Sequence, residues 1–189
     1  LNESEEVRSI SMSVEKFDEV QVGSQPASYR VEVCAPADAP ALLREQFMAL
    51  VLKGGEVQKS TLPALVSDAL VIAFVWQEQT LAAVGGVKRP NAGYRAGVFD
   101  KAGLSDAAHY PYELGWIFVE ERFRRMGMAG ALTTCLVHGL EEWPVYASSR
   151  TNNKGMHKAL VNSGFRQVGQ HYPGRRTGEE FQVFLKPAG

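Results

Sequence analysis

The chain has 189 residues, 45% hydrophobic and 22% charged, which fits one compact domain with an extension better than two domains of roughly 150 residues each. Twenty Lys and Arg against 21 Asp and Glu give a formal net charge of -1, so bulk electrostatics argues against nucleic acid or an anionic membrane as partner. The longest uninterrupted apolar run, Ala69 to Trp76, is far short of the roughly 20 residues of a spanning helix, and the two cysteines, Cys34 and Cys135, fit neither a disulfide framework nor a zinc-site spacing. A metal-free protein of a reducing, cytoplasmic compartment is expected.

Leu1 to Glu6 is acidic and polar rather than basic then apolar, unlike a signal peptide. Residues 1–27 carry only a weak alternation at Ile10, Met12 and Val14 and read as an N-terminal arm ahead of a domain over 28–189. Tyr29 to Cys34 alternates as a strand, and Pro36 with Asp38 leads into a helix over about 39–53, closed by Gly54 and Gly55. Ser60 can cap a short helix through Asp68, with Pro63 tolerated in its first turn. Ala69 to Trp76 and Leu81 to Lys88 form a hairpin about the turn Gln77 to Thr80. Arg89 to Tyr110, with Pro90 and three glycines, reads as a long loop.

Tyr112 to Val119 is then a strand, a helix runs from about Met128 to Glu142, and Val145 to Ser148 is a short strand. A helix over 153–162 ends in Gly164, a good C-terminal glycine. Phe165 to Val168 and Phe181 to Leu185 are the last strands. The predicted order, β-α-α-β-β-β-α-β-α-β-β, is that of a mixed α/β domain: a central sheet flanked by helices.

Chemistry concentrates in the stretch from Val119 to Gly130, between a strand and an apolar helix. Gly127, Ala129 and Gly130 let a ligand come close to the backbone, and a helix's first turn offers unpaired N–H groups and a positive dipole end. Such a turn suits a pyrophosphate, with Arg124 and Arg125 adding charge. The alternative is a plain strand-to-helix turn with packing glycines and solvated arginines. No Gly-Lys-Ser/Thr and no GxGxxG is present, which removes nucleotide hydrolysis and dinucleotide binding of the familiar kinds.

Arg124-x-x-Gly127-x-Ala129, after a strand ending at Val119, resembles the acetyl-CoA signature of the GNAT family of N-acetyltransferases, written Q/R-x-x-G-x-G/A. Asn153 through Gly164-Phe165, with the Asn and Gly 11 residues apart, is similar to the family's second motif. The resemblance covers about Tyr29 to Pro187. It implies a GNAT-like acyl-CoA N-acyltransferase fold and acetyl-CoA as co-substrate, with no metal. It further implies that the strand before the signature splays from Val145–Ser148, freeing main-chain groups of Ile117, Phe118 and Val119 for the pantetheine arm, with the Val119 N–H polarising the thioester carbonyl. Arg124, Arg125, Met126, Gly127, Met128, Ala129 and Gly130 would hold the pyrophosphate, and Asn153 the pantetheine; a helix N-cap is the other role open to Asn153.

An alkylamine of pKa ~10 must lose a proton before attack. Glu113, 11 residues before Arg124, stands where some members of that family keep a catalytic Glu, and is the candidate general base; it could equally be a structural carboxylate paired with an arginine or a tyrosine hydroxyl. Where many members have a Tyr that protonates the departing thiolate, this chain has Leu160. His157, one turn earlier on the same helix, is the candidate replacement, or else a packing residue. Trp76 and Trp116 are expected in the core or lining a groove, and Arg175-Arg176 could attract an acidic acceptor. The expected activity is direct acyl transfer to a primary amine of a small molecule or protein. The rival reading is a CoA-binding regulatory or structural domain.

Overall fold

The run Val71–Gln77 buries its first five residues, and because successive side chains of a strand point to opposite sides, this demands cover on both faces. In the computed structural model, which describes residues 29–174 and 176–189, that cover comes from helices on the two faces of a seven-stranded sheet. The arm expected over 1–27 and Arg175 lie outside the described residues. The strands are β1 (Tyr29–Cys34), β2 (Val71–Gln77), β3 (Thr80–Lys88), β4 (Tyr112–Val119), β5 (Val145–Arg150), β6 (Arg166–Pro173) and β7 (Glu180–Lys186), in spatial order β1-β2-β3-β4-β5-β7-β6. Neighbours are antiparallel except β4 and β5, which run parallel.

The helices are α1 (Ala41–Lys53), α2 (Leu62–Ser67), α3 (Ala92–Lys101), α4 (Met128–Val137) and α5 (Lys154–Asn162). Strand alternation sorts them into layers. Val71, Ala73 and Val75, with Leu114, Ala147 and Phe184, meet Met128, Leu132, Leu136 and Leu160 of α4 and α5. Ile72, Phe74 and Val84, on the opposite face, meet Phe47, Leu50, Val51, Leu62 and Val66 of α1 and α2. Farther along that second face, Val98 and Phe99 of α3, with Ala102 just after it, pack on Tyr146, Tyr172 and Val183.

The mixed α/β sheet expected from the sequence is present, with one correction of substance. The segment 89–110, read as a loop, holds α3 and a 3-10 turn at Ala107–His109. Asn91 caps α3 through its side chain, which accepts from the Tyr94 N–H at 2.8 Å. The helix hides from a periodicity search because Gly93 and Gly97 dilute it and its buried residues, Val98 and Phe99, crowd into the last turn. A smaller correction concerns α4, which ends at Val137 rather than Glu142, two residues before Gly139 adopts φ +82°.

Candidate active site

β4 carries an extra residue against β3: Gly86 faces Gly115 while Val84 faces Phe118. Trp116 takes up the slack with φ +57°, a β-bulge of the kind that re-aims a strand. Small residues opposite make room for it. A Cβ on Gly85 would stand 2.5 Å from Ile117 Cδ1, and one on Gly86 3.1 Å from the Trp116 ring. β4 pairs β5 only through Tyr112, Glu113 and Leu114, opposite Val145, Tyr146 and Ala147. Beyond them β4 stays with β3 and β5 stays with β7, so the sheet opens between them. Ile117 and Val119 send side chains toward α4 and Phe118 toward α1. The Glu120 N–H bonds the Ala82 carbonyl at 2.9 Å and Phe118 pairs with Val84, so in the alternating ladder Phe118 and Glu120 turn their main-chain groups to β3, while Ile117 and Val119 turn theirs to the opening.

At the mouth of that opening the chain turns through a 3-10 turn, Glu121–Phe123, into α4. The Arg124 Nε donates to the Val119 carbonyl at 3.3 Å, pinning the turn to the strand end. Arg125 and Gly127 both have positive φ, +67° and +82°. Gly127 is the N-cap of α4 and supplies no side-chain acceptor, and the first helical bond is donated by Ala131 to the Gly127 carbonyl. The N–H groups of Met128, Ala129 and Gly130 therefore lack intrahelical partners. Met128 is buried and Met126 packs partly against the same core, while a Cβ on Gly130 would meet nothing within 4 Å. The loop thus offers backbone N–H groups, a helix N-terminus and two exposed arginines to an anion, with side-chain bulk turned away.

Glu113 is 3% exposed. Its Oε1 lies 2.7 Å from the Lys88 ammonium, across the β3–β4 ladder. Its Oε2 accepts from the Tyr146 hydroxyl at 3.2 Å, across the β4–β5 ladder. Lys88 Nζ also sits 5.6 Å from the Trp116 ring centroid, and it can cross there because Gly115 has no side chain: a Cβ would stand 2.9 Å from Lys88 Cε. Burial, and then the Glu113 charge, hold the Tyr146 phenol far above its ordinary range. Burial also raises Tyr172, against a hydrogen bond with Ser148 that lowers it. Lys88 and Tyr146 were absent from the expected site. Only strand pairing brings them to Glu113.

The second motif lies on α5. The Asn153 Oδ1 caps this helix, accepting from the Met156 N–H at 3.1 Å, and its amide nitrogen is left to face outward. His157 Nε2 is 2.9 Å from the Arg150 carbonyl oxygen, and its ring lies 4.9 Å from that of Phe184. Since a carbonyl can only accept, Nε2 carries the proton, leaving Nδ1 to exchange one elsewhere. Leu160 is fully buried in the core between α4 and the sheet.

Across the opening, on the α1 side, runs a bridge. Arg150, the last residue of β5, ion-pairs with Glu56 just beyond α1 and with Glu179 of the β6–β7 turn, the latter at 2.9 Å. Arg176 Nη2 donates to the Gly55 carbonyl at 2.8 Å. The end of α1 abuts β4, as a Cβ on Gly54 would lie 3.6 Å from Phe118, so the contacts span from the β4 side to the β5 side. Two surface clefts lie elsewhere, between α1 and α2 and beside the C-terminal ends of α4 and α5. They contain none of these groups.

No protein-family model matches the chain, and no curated protein matches it in sequence. Solved structures do match. An acyl-CoA N-acyltransferase from Pseudomonas aeruginosa superposes with a TM-score of 0.60 at 13% identity, covering 84% of this chain and 99% of that one. A GNAT-family acetyltransferase from Streptococcus agalactiae gives 0.58 at 14%, over 85% and 96%. The ribosomal-protein-S18-alanine N-acetyltransferase from Escherichia coli gives 0.58 at 13%, over 84% and 94%. At such identities the likeness is one of fold: the chain has the GNAT-like acyl-CoA N-acyltransferase fold.

Proposed function

We propose that this chain is an acyl-CoA-dependent N-acyltransferase that moves an acetyl group from acetyl-CoA directly to a primary amine. The observation that carries this reading is the meeting, at one place, of two features: the β4–β5 opening and the uncapped N-terminus of α4 behind Arg124-x-x-Gly127-x-Ala129. The loop from Arg124 to Gly130 suits the pyrophosphate of acetyl-CoA. Ile117 and Val119 offer strand-edge groups to the pantetheine amides, with Phe118 held between them on β3, and the Asn153 amide nitrogen adds a donor from the β5 side.

In the reaction the amine nitrogen forms the new C–N bond while the thioester C–S bond breaks. The Val119 N–H stabilises charge on the carbonyl oxygen. Glu113, too buried to touch the amine, takes its proton through a bridging water, using lone pairs that Lys88 and Tyr146 leave over. A thiol of pKa near ~8.5 gives a tolerable leaving group, so solvent suffices to protonate the thiolate, with His157, one turn before Leu160 on α5, as the candidate protein donor. A second reading is favoured by a specific pair of facts, that Leu160 is core and that both Glu113 oxygens are engaged. It is a CoA-binding regulatory or structural domain without transfer.

Calorimetry with CoA tests the cofactor assignment. Gly127→Glu puts bulk and negative charge where the backbone must approach the pyrophosphate, and is expected to abolish binding while the fold survives. Unchanged affinity in a folded variant removes the assignment. Tight CoA binding with no acetylation of any amine in a broad small-molecule and peptide panel selects the second reading.

A further inference from the structure

Arg95 of α3 is a cation whose charge bears on Tyr146, the hydrogen-bond partner of Glu113, and which no anion answers among the described residues. β3 ends at Lys88 and Asn91 caps α3, so the first turn of α3 rises next to the Lys88–Glu113 pair. Val98 and Phe99, three and four residues beyond Arg95, pack down on the sheet, with the Phe99 and Tyr146 rings 5.3 Å apart and edge to face. Residues spaced three and four apart share a helix face. Arg95 therefore leaves α3 on the inward side, one turn before the residues that pack on Tyr146, and its charge acts on the Tyr146 hydroxyl that bonds Glu113.

The Arg95 Nε is buried without a hydrogen-bond partner, and among the described residues no carboxylate pairs with its guanidinium. A buried donor left empty is costly. Among the described residues, the charges shown to act on this Glu113–Tyr146 pair are two cations, Lys88 and Arg95, and the one carboxylate of Glu113. A plain alkylammonium would meet net repulsion there, whereas an amine that brings its own anion would satisfy the excess charge. The planar guanidinium fork matches a carboxylate's two oxygens.

We infer that the acceptor is an amine that also bears a carboxylate, and that Arg95 selects it by pairing with that carboxylate. This rests on the transfer reading above, and the experiment separates the two. Acetyl transfer is measured at saturating acetyl-CoA for glycine, β-alanine, L-alanine and L-phenylalanine, each against its decarboxylated amine, in wild type, Arg95→Gln and Arg95→Lys. The expected result is a wild-type preference, as kcat/KM, of at least about tenfold for the carboxylate-bearing partner. Arg95→Gln should erase most of that preference through KM, and Arg95→Lys should restore part of it. A preference for the decarboxylated amines, or one unchanged in Arg95→Gln, overturns the assignment. Should no acceptor be acetylated although CoA binds, transfer has failed, and calorimetry of the same amino acids on the CoA complex decides the site alone. Binding weakened in Arg95→Gln supports it, and no binding to wild type overturns it.

Discussion

Replacing Glu113 by Gln keeps the outline of the side chain and removes its charge, so two consequences can be told apart. As general base, Glu113 is worth about 10²–10⁴-fold, and Glu113→Gln should lower kcat/KM by that factor with acetyl-CoA affinity nearly unchanged. As partner of a mostly buried Lys88, it should also cost about 1–3 kcal/mol of stability in denaturant titration. Near wild-type turnover combined with that stability loss would make Glu113 a structural carboxylate only. Tyr146 gives a pH signature. Its folded-state pKa stands above the unfolded value of 10.0, so the native state holds the proton that the unfolded state releases. The resulting stability is fully present below pH 10 and is lost as pH climbs above it, by up to about 1.4 kcal/mol per pH unit. Tyr146→Phe should flatten that alkaline slope in thermal melts run from pH 9 to 11; an unchanged slope would mean the phenol titrates normally. Glu113 was singled out through the resemblance, which expects a carboxylate 11 residues before Arg124, and the structure finds that carboxylate buried. Its partners were not: Tyr146 is 33 positions away, and only ladder register joins them.

Among elements, β4 has the tightest demands. Gly115 exists so that Lys88 can cross the strand to reach Glu113. Gly115→Val should push the flexible Lys88 tip, Cε and the ammonium alike, away from Glu113 while leaving both ionisable residues in the chain, destabilising the domain by about 1–3 kcal/mol. A double-mutant cycle with Lys88→Met checks the cause, since the two changes should be strongly non-additive in denaturation free energy. Simple additivity would place the cost of valine elsewhere in the strand. Most strands could be read from the sequence because their apolar residues recur at period two or run unbroken, as in Val71–Val75, but β6, read as ending at Val168, runs on to Pro173 through the exposed residues Gly169, Gln170 and His171, which carry no apolar alternation. α3 could not be read, since a helix that touches the core with one turn and carries two glycines has almost no periodic signal. The bulge at Trp116 was equally invisible, because positive φ at a tryptophan has no signature in composition.

At the scale of the molecule, the proposed CoA site opens at the α4 N-terminus, and the Glu113 cluster lies on the face covered by α1, α2 and α3. Two substrates reaching one gap from different sides can be present together. Both cysteines are free, with thiols held above their ordinary range chiefly by burial, which makes them poor nucleophiles for a covalent acyl carrier. Initial rates with both substrates varied should therefore give intersecting double-reciprocal lines, the pattern of a ternary complex. Parallel lines would require an acylated protein and overturn direct transfer.

The contacts that Arg150 and Arg176 make with Glu56 and Gly55 tie positions up to 121 residues apart in the chain. In topological terms they turn a groove into an eyelet. A polymer cannot be laid across an eyelet; it has to be threaded, and what threads is an end. A small amine, a chain terminus or the tip of a long side chain can enter, while the middle of an extended peptide backbone cannot while the ring is closed. The ring is fastened by partly exposed ion pairs, worth about 0–1 kcal/mol each. It is a buckle that thermal motion can undo, and under the transfer reading proposed above the length of time it stays undone would set how large an acceptor can enter.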